Sequence, residues 1–171
     1  MDKVLKLSMF EKKEIELKVE PVDLRLLVEE VTASMRLQLE KYHAKLSIES
    51  EGDTTIEGDR LHFISVIFNL LDNALKYSTT NPSIQIKIKA TGEATELSVT
   101  DNGIGIPGEY KQRVFEKFFR VPSGNMHNAK GYGLGLSYVS HVVGKHRGQI
   151  SVESQPGIGS SFILKLPKSH G

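Results

Sequence analysis

Residues 69–77, Asn-Leu-Leu-Asp-Asn-Ala-Leu-Lys-Tyr, combine two amides, a lysine and a phenol in one short run. On a helix advancing about 100° per residue, with Asn69 set at zero, Lys76 falls near about −20°, Asn73 about 40°, Tyr77 about 80° and Asp72 about −60°. Leu70, Leu71, Ala74, Leu75, Ile64 and Ile67 occupy the other side, so the polar groups form one stripe on an apolar helix. An amide oxygen can ligate a hard cation, a lysine can meet phosphate, and a phenol can cover a flat ring. A solvated face would also give a polar stripe. Asparagine is a poor helix former, however, and two of them one turn apart in a strong helix need a reason.

Two glycine-rich runs follow. Asp101–Pro107, DNGIGIP, comes directly after an alternating segment. With Gly108 it formally matches GxGxxG, but Pro107 lies inside the match and no βαβ unit opens there, so the dinucleotide fingerprint is excluded. The glycines imply a sharp turn or a close approach. Asp101 at the strand end could accept hydrogen bonds from a ligand amino group, or close an Asx turn. The second run, Gly131–Gly135 (GYGLG), opens a helical segment, where free N–H groups and the helix dipole suit an anion such as phosphate. It lacks the lysine-serine pair of a P-loop.

The elements that must hold these groups are legible from periodicity. Residues 2–10 fit a short amphipathic helical piece. Residues 11–20 alternate like a strand or an extended linker, and Pro21 interrupts them. Asp23 is an N-cap candidate for one helix over residues 23–41. Lys45–Ser50 and Thr54–Glu57 read as strands around a turn at Gly52–Asp53. Asp59 opens a second helix reaching about Tyr77. Ile84–Ala90 and Glu96–Thr100 read as an antiparallel pair. An irregular stretch with one helical piece near Glu109–Phe119 leads to a third helix, Leu134–Lys145. Gln149–Glu153 and Ser161–Leu166 form a last hairpin across Pro156–Gly157. The expected architecture is α/β, a two-layer sandwich of a mixed, largely antiparallel sheet packed on about three helices. Strands and helices do not alternate regularly, which excludes a doubly wound nucleotide fold.

Composition sets the outer bounds. The 171 residues carry 22 Lys+Arg against 21 Asp+Glu, a net charge of +1, which argues against non-specific nucleic-acid binding. The absence of cysteine excludes a disulfide scaffold, a CxxC centre and a thiolate zinc site. No apolar run approaches the roughly 20 residues of a membrane span, and the first ten residues lack a signal-peptide core. A soluble, cytoplasmic domain is expected.

In order along the chain stand NLLDNALKYS, DNGIGIP, VFEKFFR (Val114–Arg120), GYGLGLSYV and GIGSSF (Gly157–Phe162). Together they resemble the N box, first glycine box, F box, second glycine box and terminal glycine box of the catalytic and ATP-binding (HATPase) domain of bacterial two-component sensor histidine kinases. That domain belongs to the superfamily of gyrase, MutL and Hsp90. The resemblance spans residues 21–167 and implies the Bergerat ATP-binding fold. It divides the chain into the end of a dimerisation helix and linker (1–20), the catalytic domain (21–167) and a tail (168–171).

The resemblance also implies roles. Asn73 would be the main magnesium ligand, with Asn69 one turn earlier near the same cation. Lys76 would neutralise phosphate, and these three residues would be the catalytic set. Tyr77 would pack on the purine. Asp101 would accept the adenine amino group, with Gly103 and Gly105 letting the base approach and Ser160 supporting the aspartate. Gly131, Gly133 and Gly135 would wrap the triphosphate. Ile106, Tyr132, Leu134 and Leu136 complete the implied ATP-binding set. Phe115, Phe118 and Phe119 would anchor a lid, from which Arg120 and Lys130 could reach the terminal phosphate.

Where the wider superfamily often carries a catalytic glutamate, four residues before the magnesium asparagine, this chain has Asn69. No general base for water is supplied there, which fits a kinase. The implied cofactors are ATP and Mg2+. The implied partners are a histidine-bearing dimerisation domain of the same parent protein and the receiver domain of a response regulator. None of the six histidines (His43, His62, His127, His141, His146, His170) is followed by an acid, as the family's phosphoacceptor is. The chain is therefore expected to be a monomeric cytoplasmic piece of a homodimeric parent, for which an inner-membrane sensor fits. The alternatives are a non-catalytic ATP-sensing module and another branch of the gyrase/Hsp90/MutL superfamily.

Overall fold

The computed structural model describes residues 16–78, 81–116 and 135–169. Seven strands are present among them: β1 (Val19–Asp23), β2 (Lys45–Glu51), β3 (Thr55–Asp59), β4 (Ser83–Ala90), β5 (Ala94–Asp101), β6 (Gln149–Gln155) and β7 (Gly159–Pro167). The helices are α1 (Leu24–Ser34), α2 (Arg36–Lys41), α3 (Arg60–Lys76) and α4 (Gly135–Lys145). Five strands form one sheet in the order β2-β4-β5-β7-β6; β1 and β3 form a separate two-stranded sheet. Only β2 and β4 run parallel, so the main sheet is mixed and largely antiparallel, as expected.

Alternation decides which face of the sheet is covered. Ile84, Ile86 and Ile88 of β4, Leu97 and Val99 of β5, and Phe162, Leu164 and Leu166 of β7 are all buried, while Lys87, Lys89, Glu96 and Lys165 between them face water. The buried face joins one core with α1, α3 and α4, including Leu24, Phe63, Ile67, Leu71 and Val139. Each such side chain contributes about 1.5–3 kcal/mol by leaving water. No helix among the described residues is long and apolar enough to cross a membrane.

Three local expectations change. The single helix over residues 23–41 is two helices, interrupted at Met35, whose N–H is shared between the Val31 and Thr32 carbonyls. Thr32 and Ser34 hydroxyls bond back to the Glu29 and Val31 carbonyls, which competes with the regular ladder. The bend keeps Met35 and Leu39 in the core while Leu26 and Leu37 are exposed.

The strands flank the turn at Gly52–Asp53 as expected, and they do not pair with each other. Thr54 is drawn to the start of α1, where its carbonyl accepts the Leu24 N–H and its hydroxyl bonds Asp23. β2 pairs with β4 and β3 with β1.

Pro21 lies inside β1, opposite Glu57. The Glu57 N–H points away, to the Lys168 carbonyl at 2.9 Å. The pair is thus a non-hydrogen-bonded one, and the missing proline N–H leaves no gap in the ladder. β1 also builds the last residues of the expected linker into the domain. Finally, the helical piece near Glu109–Phe119 is two 3-10 turns, Gly108–Tyr110 and Arg113–Phe115, as far as Glu116; glycine and proline at its start favour a tight turn over a helix. The piece at residues 2–10 lies outside the described residues.

Candidate functional site

Helix α3 is positioned at both ends. Asp59 caps its start, accepting the His62 N–H at 3.1 Å through one carboxylate oxygen and the Lys18 N–H at 2.8 Å through the other. Burial works to raise the Asp59 pKa, but the N–H bonds from Lys18 and His62 hold it below its ordinary value. The Asp59 N–H in turn donates to His146 Nε2 at 3.0 Å, while His146 Nδ1 donates to the Val142 carbonyl. That neutral, buried imidazole joins the end of α4 to the start of α3 and packs on Phe63 at 4.4 Å between ring centroids. His146 is thus a structural residue.

Along α3 the polar stripe is real. Asn69, Asp72, Asn73, Lys76 and Tyr77 are half-buried, whereas Leu70, Leu71, Ala74 and Leu75 are buried. Asn69 Nδ2 donates to the Ser65 carbonyl at 2.7 Å, which fixes the amide and leaves Oδ1 as the outward acceptor. That oxygen faces the start of α4: a Cβ on Gly135 would lie 2.9 Å from it. Lys76 Nζ pairs with Asp72 at 2.9 Å. Tyr77 closes the helix, and its carbonyl accepts the Ile104 N–H at 3.1 Å.

The DNGIGIP loop is thereby docked beside the end of α3. Its other attachment is the turn between β6 and β7, where the Gly157 N–H donates to the Ile104 carbonyl at 2.8 Å. A Cβ on Gly103 would lie 2.4 Å from the Tyr77 carbonyl oxygen, and one on Gly105 would lie 2.1 Å from that of Gln155. Gly105 also has φ +76°, a left-handed backbone that favours glycine. Both glycines are explained by the protein's own backbone filling the space a side chain would need.

Asp101 sits where β5 meets this loop, opposite Ser160 of β7. Burial raises its pKa above the ordinary 3.8, against the opposing effect of N–H bonds from Gly103 and Ser160 to the carboxylate. Asp101 is therefore an Asx-turn residue and a largely desolvated acceptor at once. Ser160 supports it through the backbone; its hydroxyl goes elsewhere.

That hydroxyl leads to Ser154, a residue the sequence reading missed. Buried Ser154 Oγ accepts the Ile106 N–H at 2.6 Å, donates to the Gly159 carbonyl at 2.9 Å and meets Ser160 Oγ at 2.8 Å. Its one proton is used on Gly159, so Ser160 donates to it and all three sites of the hydroxyl are filled. A serine in a strand otherwise reading QISVESQ is the only sequence trace of this tie.

The structure thus brings Asn69, Asn73, Lys76 and Tyr77 on α3, the loop with Asp101, Gly103, Gly105 and Ile106, Ser160, and the start of α4 with Gly135 and Leu136 to one side of the molecule. Arg120, Lys130, Gly131, Tyr132, Gly133, Leu134, Phe118 and Phe119 lie outside the described residues. Phe115, the F-box phenylalanine among the described residues, stands edge-on to Phe162 at 6.1 Å.

A family profile described as histidine kinase-, DNA gyrase B-, and HSP90-like ATPase matches residues 58–170. The chain belongs to this family. Within it, the sensor protein RprX of Bacteroides fragilis is 39% identical over 170 residues, covering 98% of this chain and 33% of RprX. The chain thus spans about a third of that relative. The catalytic domain of the histidine kinase ThkA superposes with a TM-score of 0.78 at 28% identity, covering 89% of this chain and 99% of that domain. Full-length ShkA, solved with AMPPNP, gives a TM-score of 0.83 at 25% identity over 97% of this chain and 34% of ShkA. ThkA has also been solved in complex with the response regulator TrrA. The fold of this ATPase-family chain is that of histidine kinase catalytic domains, and its relatives favour the kinase branch over the gyrase or Hsp90 branches.

Proposed function

We propose that this chain binds Mg-ATP and serves as the catalytic domain of a sensor histidine kinase. Its parent would pass the γ-phosphoryl group to a histidine on a dimerisation domain, for relay to a response regulator receiver domain. The observation that carries the reading is the juxtaposition along the second half of α3: a desolvated carboxylate, Asp101, lies beside a helix whose amide stripe meets the start of α4 at Asn69 and Gly135. The ShkA complex with AMPPNP and the ThkA complex with a response regulator support it by likeness.

In this reading Asp101 accepts the adenine amino group, with Ser160 and Gly103 holding its carboxylate in place. Ile106 and Tyr77 flank the base. The backbone of Gly131, Gly133 and Gly135 and the neighbouring Tyr132, Leu134 and Leu136 surround the phosphates, with Arg120 and Lys130 at the terminal one. Lys76, paired to Asp72 in the structure, turns to phosphate when ligand is present.

Asn73 and Asn69 would hold magnesium. They suit it chemically, since amide oxygens are hard ligands and Asn69 Oδ1 is oriented outward by the Nδ2 bond to Ser65. Both are neutral, and no cluster of three or more His, Asp or Glu side chains that could hold a metal is present among the described residues. The ion would therefore be held jointly with nucleotide phosphates. When bound it supplies charge neutralisation for phosphoryl transfer.

Residues 1–20 would lead in from the dimerisation helix, placing the domain in the cytoplasm of a homodimeric parent. The test is phosphotransfer in trans. The chain mixed with a histidine-bearing dimerisation fragment and ATP labelled at the γ-phosphate should label that fragment and leave itself unlabelled. ATP binding without any transfer would leave an ATP-sensing module instead.

A further inference from the structure

Tyr138 lies on α4 three residues after Gly135, on the side that packs against α3. Its hydroxyl is 2.5 Å from His62 Nδ1, with the two rings 5.9 Å apart and tilted by 41°. The Ser65 hydroxyl hydrogen-bonds the same phenol oxygen; burial pushes the phenol pKa up, and that bond works against it. Ser65 is also the residue whose carbonyl holds the Asn69 amide. His62, Ser65 and Asn69 stand on successive turns of one face of α3. A single phenol on α4 thus grips two of those turns, and the third presents its oxygen to Gly135.

Just beyond the far end of α4 His146 ties to the Asp59 N–H, and between that tie and Tyr138 the buried side chains of α4 include the aliphatic Val139, Val142 and Val143. Such packing is non-directional and tolerates a small slide along the axis. A hydrogen bond does not, because it weakens steeply outside a narrow range of length and angle. Near the start of α4 the axial register against α3 is therefore held by the Tyr138 hydroxyl, about one turn from the place where α4 meets Asn69.

We propose that Tyr138 is a positioning residue for the phosphate side of the nucleotide site: its hydroxyl, shared by His62 and Ser65, fixes how closely the start of α4 approaches Asn69. This rests on the reading of the site as one for Mg-ATP. Tyr138 touches neither nucleotide nor metal in that reading and acts through the placement of Gly135 and Asn69. The adenine side, built on Asp101 and the β5–β7 seam, does not depend on it.

The experiment compares ADP–Mg2+ and adenosine binding by calorimetry in wild type, Tyr138→Phe, His62→Ala and the double variant. Phenylalanine keeps the ring and removes only the hydroxyl. ADP–Mg2+ affinity should fall about three- to tenfold in Tyr138→Phe, the loss expected for one hydrogen bond. Adenosine affinity should stay at the wild-type value. The double variant should be no weaker than the weaker single one, because the two changes break the same contact. Equal weakening for both ligands, or none for either, overturns the inference while the nucleotide reading stands. Failure of the wild type to bind either ligand overturns the nucleotide reading, and this inference with it.

Discussion

At Asp101 a desolvation penalty opposes two N–H bonds, and the penalty is the larger effect. The folded state therefore holds this proton more tightly than the unfolded chain does. Stability falls as pH rises from about 3.8 through the raised folded value, and is flat above it. Asp101→Asn cannot ionise and keeps an oxygen for the Gly103 N–H, so its denaturant midpoint should gain on wild type across that window and then run parallel. Urea titrations at a series of pH values measure this. A wild-type advantage that grows with pH would contradict it. In the proposed site binding carries the opposite sign, since the carboxylate form would be the acceptor for an adenine amino group. ADP affinity should drop on acidification at a higher pH than for an ordinary carboxylate. Asp101→Ala should lose about 1–3 kcal/mol of binding, the range for a hydrogen bond to a charged group.

The residue types at the site were readable because they violate local rules, such as two asparagines in a strong helix. Ser154 and Tyr138 were not. A serine in a strand and a tyrosine in a helix break no rule, and their roles depend on partners from Ile106 and His62, distant in sequence.

Among the elements, α3 carries most of the consequences. Asp59 both caps it and receives Lys18, which precedes β1. Asp59→Ala should cost about 1–2 kcal/mol for the cap alone. Because the folded pKa of Asp59 is depressed, its contribution is present above about 3.8 and is lost as pH falls through the folded value. The stability gap between wild type and variant should therefore close in acid, as followed by thermal melts between pH 2 and 6. A gap independent of pH would show that the carboxylate charge plays no part.

Capping signals such as Asp23 and Asp59 were plain in the sequence, since they act within a few residues. The break at Met35 was not, because hydroxyl back-bonding and the burial of Leu39 decide it, and Met35 itself is a good helix former. The turn at Gly52–Asp53 and the strands on either side of it were correctly placed, but the partners of those strands were not legible. A turn fixes where the chain bends; long-range pairing with β4 and β1 fixes where it goes.

On the scale of the whole molecule, β5 and β7 are direct neighbours although the loop, the second glycine run, α4 and β6 all lie between them in the chain. Their pairing sets Asp101 against Ser160. This seam has a consequence in time. The hairpins β4–β5 and β6–β7 close short loops and can pair early, whereas β5–β7 must await closure of a long one. Until it closes, Asp101 lacks the Ser160 N–H and the loop lacks its Ser154 tie. No half-folded form would then carry the proposed adenine site, and saturating ADP–Mg2+ should protect the β5 and β7 amides from hydrogen exchange by the same free energy that it adds to global unfolding. Bound nucleotide would, in the proposed site, be a witness that the last seam has shut.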